Sequence, residues 1–206
     1  MDKPKIKMLE DATFEECIDL EEYYNKRITK NIVREDVVLE QVSFDCCHFI
    51  GIDFTKFKIK KFELLDCIFD NCDLSNIEFS DLGIFRCIFK NCRMSGVIFS
   101  DCQLDNVELD SVLGNYMGFY KCEMKRLLIK NTNFNEGRFM ENKMKDVVLQ
   151  EVNFTKCDFI KTSFAGMDFS SSIIDSIKTD LYSLKSIKVN SEQALSLVQL
   201  LGIEVI

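Results

Sequence analysis

Cys67-Ile68-Phe69-Asp70-Asn71-Cys72-Asp73-Leu74-Ser75-Asn76-Ile77-Glu78-Phe79-Ser80-Asp81-Leu82-Gly83-Ile84-Phe85-Arg86 repeats a motif of five residues four times over. A large apolar residue stands at the centre of each pentad, a small or slender one stands two places before it, and a corner residue ends it. Outward from this stretch the central series runs from Leu39 to Ile174, and 27 of its 28 positions are large and apolar, Gly114 being the exception. Fourteen of the 18 phenylalanines fall in this single register, where random placement would put about a fifth of them. Neither a helix, with period 3.6, nor a strand, with period 2, sustains a spacing of five.

A square coil does. If each pentad is one short side, four pentads close a turn of 20 residues whose two inward positions fill a dry core. Asn, Asp or Gly occupies twelve of the 28 corner positions, among them Asn71, Asn76, Asn91, Asn106 and Asn131, and these are the residues that accept tight corners. Coils stacked at about 4.8 Å predict a rod of about seven turns and about 34 Å. Residues 20 apart stack on one wall, so Phe79, Phe99, Phe119, Phe139 and Phe159 are expected to form an aromatic ladder. Gly114 leaves an inward gap between Met94 and Phe134, and a bend or bulge is expected there.

The chain has 206 residues, a formal net charge of -8, one histidine, one proline and ten cysteines. The acidic balance argues against direct nucleic-acid binding and against an anionic membrane surface. No apolar run approaches a membrane span and no secretory signal opens the sequence, so the expected compartment is the cytoplasm. Eight cysteines (Cys47, Cys67, Cys72, Cys87, Cys92, Cys102, Cys122 and Cys157) occupy the slender inward position, where a thiol serves as a small hydrophobe. Their five-residue spacing is not that of a zinc site, and no metal or cofactor is expected. Cys46, at a corner, is expected to be the reactive thiol of the array.

Tandem pentads such as Cys87-Ile88-Phe89-Lys90-Asn91 resemble the pentapeptide-repeat family, over Val37 to about Ser176. The resemblance implies an all-β solenoid, a right-handed quadrilateral β-helix, closed by a short C-terminal helix. Its organisation divides into an irregular N-terminal cap over 1–36, a β-helix over 37–187, and a helix and tail over 188–206. Thr13-Phe14-Glu15-Glu16 offers a capping box within the first of these. The tail Lys188-Val189-Asn190-Ser191-Glu192-Gln193-Ala194-Leu195 is similar to that of the quinolone-resistance (Qnr-type) subgroup from Gram-positive bacteria. Asn190 or Ser191 caps the helix, Ala194, Leu197, Val198 and Leu201 share one face, and Gly202 ends it. Homodimerisation follows from the resemblance, with Ala194, Leu195, Val198, Leu201, Ile203 and Val205 at the interface. The alternative role for the helix is to cover the last coil's apolar edge.

Catalysis finds little support: His48 stands alone at an outward position as an ordinary surface histidine, and no phosphate loop, dinucleotide fingerprint or HExxH motif is present. A binding protein is expected instead. The wall of Phe49, Phe69, Phe89, Leu109, Ile129, Leu149 and Phe169 carries outward Asp70, Glu108, Asp110, Glu151 and Asp168 against Lys90 and Lys130, the most acidic of the four. It also carries outward Ile50, Ile68, Ile88, Leu128 and Val148. The resemblance implies a DNA mimic that enters the groove of DNA gyrase or topoisomerase IV and protects it from quinolones. Gram-negative members contact the target through loops that interrupt their arrays. Here the five-residue phase is unbroken from Val37 to Ile187, so no loop contact is carried over. The alternative, of a different class, is a structural or adaptor β-helix with an unrelated protein partner.

Overall fold

The computed structural model describes residues 1–6, 8–13, 22–29, 37–200 and 202–204. Its strands are mostly three residues long and all pair in parallel, and they build three sheets around a solenoid of about seven turns. Wall one stacks His48–Ile50, Ile68–Asp70, Ile88–Lys90, Glu108–Asp110, Leu128–Lys130 and Val148–Gln150. Wall two follows Phe54, Leu74, Met94, Gly114, Phe134, Phe154 and Ile174 and is linked by isolated parallel bridges, from Asp53 with Asp73 through Asn153 with Ile173. Wall three stacks Glu78–Ser80, Ile98–Ser100, Gly118–Tyr120, Arg138–Met140, Asp158–Ile160 and Lys178–Thr179. Wall four runs from Glu22–Tyr24 to Lys143–Lys145.

From Val37 on, partners in each sheet are 20 residues apart, as in Phe69 with Phe89 and Leu104 with Met124, while the N-terminal strands pair at spacings of 16 and 21. The corners make this possible. Nearly every pentad ends in a left-handed residue, and this holds for Arg86, Tyr116, Lys121 and Glu141 as well as for Asn71 and Asp81, with φ between 52° and 63°. Side chains other than Gly, Asn and Asp adopt this conformation at some cost, so the stacked hydrogen bonds impose it. In the first coils the rule relaxes, because Val37–Asp45 and Phe57–Leu65 run through a corner position as single nine-residue strands.

The central residues form one continuous core. On wall three Phe79, Phe99, Phe119 and Phe139 stack face to face at 4.7 to 5.0 Å, as the 20-residue column predicts. Phe159 departs from the ladder, meeting Phe139 edge-on at 74° as the coil narrows against Phe154, Phe164 and Phe169. A second stack, Phe49, Phe69 and Phe89, supports wall one at 4.8 Å.

The slender position explains itself chemically. Its thiols donate to the carbonyl of the central residue 23 places earlier: Cys72 to Phe49, Cys92 to Phe69, Cys102 to Phe79, Cys122 to Phe99 and Cys157 to Phe134, at 3.0 to 3.6 Å. Where the cysteines stop, Asn142 Nδ2 takes the same carbonyl of Phe119 at 2.8 Å and Thr162 Oγ1 that of Phe139 at 2.9 Å. Where the slender position holds Cys, Asn or Thr, the side chain therefore satisfies a core carbonyl as well as filling space, while Val, Ile and Leu elsewhere in the register only fill it.

Gly114 corrects the expectation of a bend. Its N–H bonds Asn133 O at 2.8 Å and Leu113 bridges Arg93 and Asn133 in ordinary register, so the backbone continues. The void is filled by Met117, which occupies the slender position of the same coil and lies fully buried.

The N-terminal segment expected as an irregular cap over 1–36 contributes strands to the same sheets. Glu10–Ala12 pairs with Lys26–Ile28, which in turn pairs with wall one and places Ile28 beside Phe49. The proposed capping box from Thr13 continues into residues outside the described set, as does Cys17. At the other end a four-residue helix, α1 (Leu181–Leu184), is capped by Asp180, and α2 (Ser191–Leu200) closes the rod. No described helix is long and apolar enough to cross a membrane.

Candidate interaction surface

The wall-one sheet carries Asp70, Glu108 and Asp110 of the predicted acidic residues, Glu151 and Asp168 lie beyond its last strand, and the five are not equivalent. Glu108 sits between Ile88 and Leu128 in register, and it is buried, not outward and free. Lys130, one coil on, bonds Glu108 Oε1 at 2.8 Å and Asp110 Oδ2 at 3.2 Å, so one lysine serves two carboxylates. The two acids together raise the Lys130 ammonium above its usual range. At Asp110 burial pushes the carboxyl up, but the Ser111 hydroxyl and Lys130 outweigh it and the net direction is down. The sequence sets Lys130 against the acids as a charge count only; its geometry makes it the centre of a triad.

Asp70 is approached by Asn91 Nδ2 at 3.4 Å, and Glu151 stands exposed at a left-handed corner. Asp168 accepts the Ser170 N–H at 2.9 Å, and hydrogen bonding by Ser170, side chain first and then backbone, lowers its pKa. The carboxylates of Asp70, Glu151 and Asp168 make no ion pair within 4 Å among the described residues, although Lys90 neighbours Asp70 and Lys188 neighbours Asp168, and Ile68, Ile88 and Leu128, half-buried, with exposed Val148, supply the wall's apolar relief.

His48 stands at the first coil of this wall. It is half-buried, its Nε2 has no hydrogen-bond partner, and burial lowers its pKa, with Asp70 and Arg27 acting in opposite directions. The surface histidine of the sequence is thus partly shielded.

Cys46 corrects the expectation of a reactive thiol. It does occupy a left-handed corner, yet it is only 8% exposed, and its Sγ lies 3.8 Å from Lys5 O. Burial, followed by the neighbouring carboxylates Asp45 and Asp66, pushes the thiol up to about 11. All nine described cysteines are buried. Asp45, Cys46 and Asp66 lie within 4.8 Å of one another, the spacing of a metal site. The donor set does not suit one: Asp66 is occupied by Arg86 on both oxygens at 2.7 Å and by Lys5 N at 2.8 Å.

At the C-terminal end, Asn190 is the cap of α2. Gln193 N donates to Asn190 Oδ1 and Asn190 N to Gln193 Oε1, both at 2.9 Å, a reciprocal box. Gln193 Nε2 then plugs the last coil, donating to Phe169 O at 2.8 Å and Ser172 O at 2.6 Å. Leu197, expected to share one face with Ala194, Val198 and Leu201, packs against the core. Of the predicted interface residues, Leu195 and Ile203 are exposed, Ala194 and Val198 are half-buried, and Leu201 and Val205 lie outside the described residues. Leu200 joins the exposed set.

Comparison with known proteins places this geometry. The family model for a pentapeptide repeat region matches residues 62–139, and that for pentapeptide repeats in eight copies matches 143–175. No curated protein matches the sequence. Among solved structures, full-length QnrB1, a plasmid-mediated fluoroquinolone resistance protein, is 19% identical, with 88% of this chain and 90% of that one covered and a TM-score of 0.38. A trypsin-treated QnrB1 variant is 20% identical over 85% and 97% of the two chains, with a TM-score of 0.42. HetL, a pentapeptide repeat protein involved in heterocyst differentiation regulation from the cyanobacterium Nostoc sp. strain PCC 7120, is 8% identical over 81% and 86%, with a TM-score of 0.38.

Proposed function

Because the chain belongs to the pentapeptide-repeat proteins, we propose that it is a cytoplasmic, non-catalytic, DNA-mimicking protein that engages DNA gyrase or topoisomerase IV and shields the enzyme from quinolones. The observation that carries the reading is wall one. Its stacked strands carry Asp70 and Asp110, and Glu151 and Asp168 follow the last of those strands along the same side of the solenoid, interleaved with Ile68, Ile88, Leu128 and Val148. Negative charge at four levels of the wall, separated by Lys90 and Lys130, speeds encounter with a basic groove, and the apolar positions supply contact once water is displaced.

The tail from Lys188 to Leu195, similar to that of the quinolone-resistance subgroup, supports the same reading. Under it, exposed Leu195, Leu200 and Ile203 meet a second copy across α2, while Gln193 and Leu197 seal the coil beneath.

The experiment is a gyrase supercoiling and DNA-cleavage assay in the presence of a fluoroquinolone, titrated with the full chain. Restored supercoiling and fewer trapped cleavage complexes are the expected result. No effect on gyrase or topoisomerase IV at high protein excess overturns the reading and leaves an adaptor for an unrelated partner.

A further inference from the structure

Residues 2–5 belong to no repeat, yet they are fastened to the rod. The corner between walls four and one is a column of left-handed residues 20 apart: Cys46, Asp66, Arg86 and Asn106. Asp2 N donates to Asn106 Oδ1 at 2.6 Å, and Lys5 N donates to Asp66 Oδ1 at 2.8 Å. Asp66 and Asn106 are two coils apart, about 9.6 Å, and the three residues from Asp2 to Lys5 span about 10 Å when extended. The segment therefore lies straight along the rod axis, its peptide rise matched to the coil rise. Its far end places Lys5 O over the Cys46 thiol, and Arg86 clamps both oxygens of the Asp66 carboxylate that holds it.

The fastening is light. Met1, Asp2, Lys3 and Lys5 are exposed, and Pro4 and Ile6 are half-buried, so the described segment is held by main-chain hydrogen bonds with little apolar burial. Segments attached in this way open at a free energy well below that of the whole fold. Beneath it the corner is fixed by the N–H groups of Cys46, Asp66, Arg86 and Asn106, each donating to the neighbouring coil.

We propose that residues 2–5 are a displaceable strap: closed, it seals the corner bordering wall one and shields Cys46; lifted, it frees the Asp66 and Asn106 acceptors and opens the thiol to reagents. The strap is independent of the topoisomerase reading, since it follows from contacts within one chain.

Proline tests it without touching the β-helix, because it fits an extended segment but has no N–H to donate. In full-length protein carrying Cys17→Ser, the rate at which a maleimide modifies Cys46 is compared between Asp2→Pro/Lys5→Pro and Asp2→Ala/Lys5→Ala, with the modified residue located by mass spectrometry. The proline pair is expected to label roughly tenfold faster, and the alanine pair, which keeps both N–H groups, at the parental rate. Equal rates in the two pairs overturn the proposal. A second measurement needs no strap substitution: in dilute urea Cys46 is expected to label with a weaker urea dependence than Cys47, which lies in the core. Labelling of both thiols with one urea dependence overturns the proposal equally.

Discussion

The sulfur of Met117 lies so close to where the first side-chain carbon of residue 114 would be that the two would clash, so Met117 and Gly114 share one core position between them. The wall-two column loses a side chain at Gly114 and the neighbouring slender column gains an oversized one in the same coil. Gly137, one coil beyond Met117 in that column, is held to glycine by backbone instead: a Cβ there would lie 2.7 Å from Phe134 O.

Gly114→Leu is therefore expected to destabilise, by about 1–3 kcal/mol, through overpacking against Met117. Met117→Ala alone opens a cavity and costs about 2–5 kcal/mol. The double variant, which restores a large central and a small flanking residue, is expected to recover most of both losses. Urea unfolding of the four proteins gives the coupling, and additive losses would show that the two side chains do not compete for one space.

Gln193 leads to a second expectation. Gln193→Leu keeps the bulk but leaves Phe169 O and Ser172 O without their donor, at a cost of about 1–3 kcal/mol for each carbonyl that stays dry. The loss should be local. Hydrogen exchange is expected to accelerate in the coil of Phe169 to Ile174 and stay at the parental rate around Phe69 and Phe89, because each coil contacts only its neighbours. Uniform acceleration along the rod would contradict this.

How much of this was legible follows from which contacts are periodic. The walls, the phenylalanine column to Phe139 and the burial of the cysteines are written in the five-residue spacing, since every member repeats one environment. The Gly114 exchange is half legible: the missing side chain is visible, but its filler sits in the other inward series, and only three dimensions show that the two columns touch. Glu108 reads as outward by position, and burial by Ile88, Leu128 and Lys130 is a property of the neighbouring coils. The covering of Cys46 could not be read at all, because Lys5 lies 41 residues away and outside any repeat.

Acid should act on the corner column in a defined direction. Burial raises the Asp66 carboxyl, but Arg86 and the Lys5 N–H together hold it below the usual carboxylate range. A depressed folded-state pKa stabilises above the unfolded value, about 4, and the contribution is lost as pH falls through the folded value. Thermal stability is expected to drop below about pH 4, and the drop should be smaller in Asp66→Asn, which holds no charge to lose. Stability profiles of the same shape for the parent and for Asp66→Asn would remove this carboxylate from the account.

The charge pattern of wall one gives the last expectation, and it separates the wall's acids by their partners. Reversing Asp70, Glu151 and Asp168 to lysine leaves the Glu108–Lys130–Asp110 triad intact and adds charge at surface positions, so the melting temperature should move little. Under the proposed function the same triple variant loses its attraction to a basic groove, and the concentration needed to relieve quinolone-trapped gyrase should rise at least about tenfold, more at low salt than at high. Lys130→Met does the opposite: it strands the buried Glu108 carboxylate and should destabilise by about 3–5 kcal/mol, the cost of breaking a buried pair by removing one partner. Full protection by a folded triple-lysine variant would exclude wall one as the contact face, whatever the rod binds.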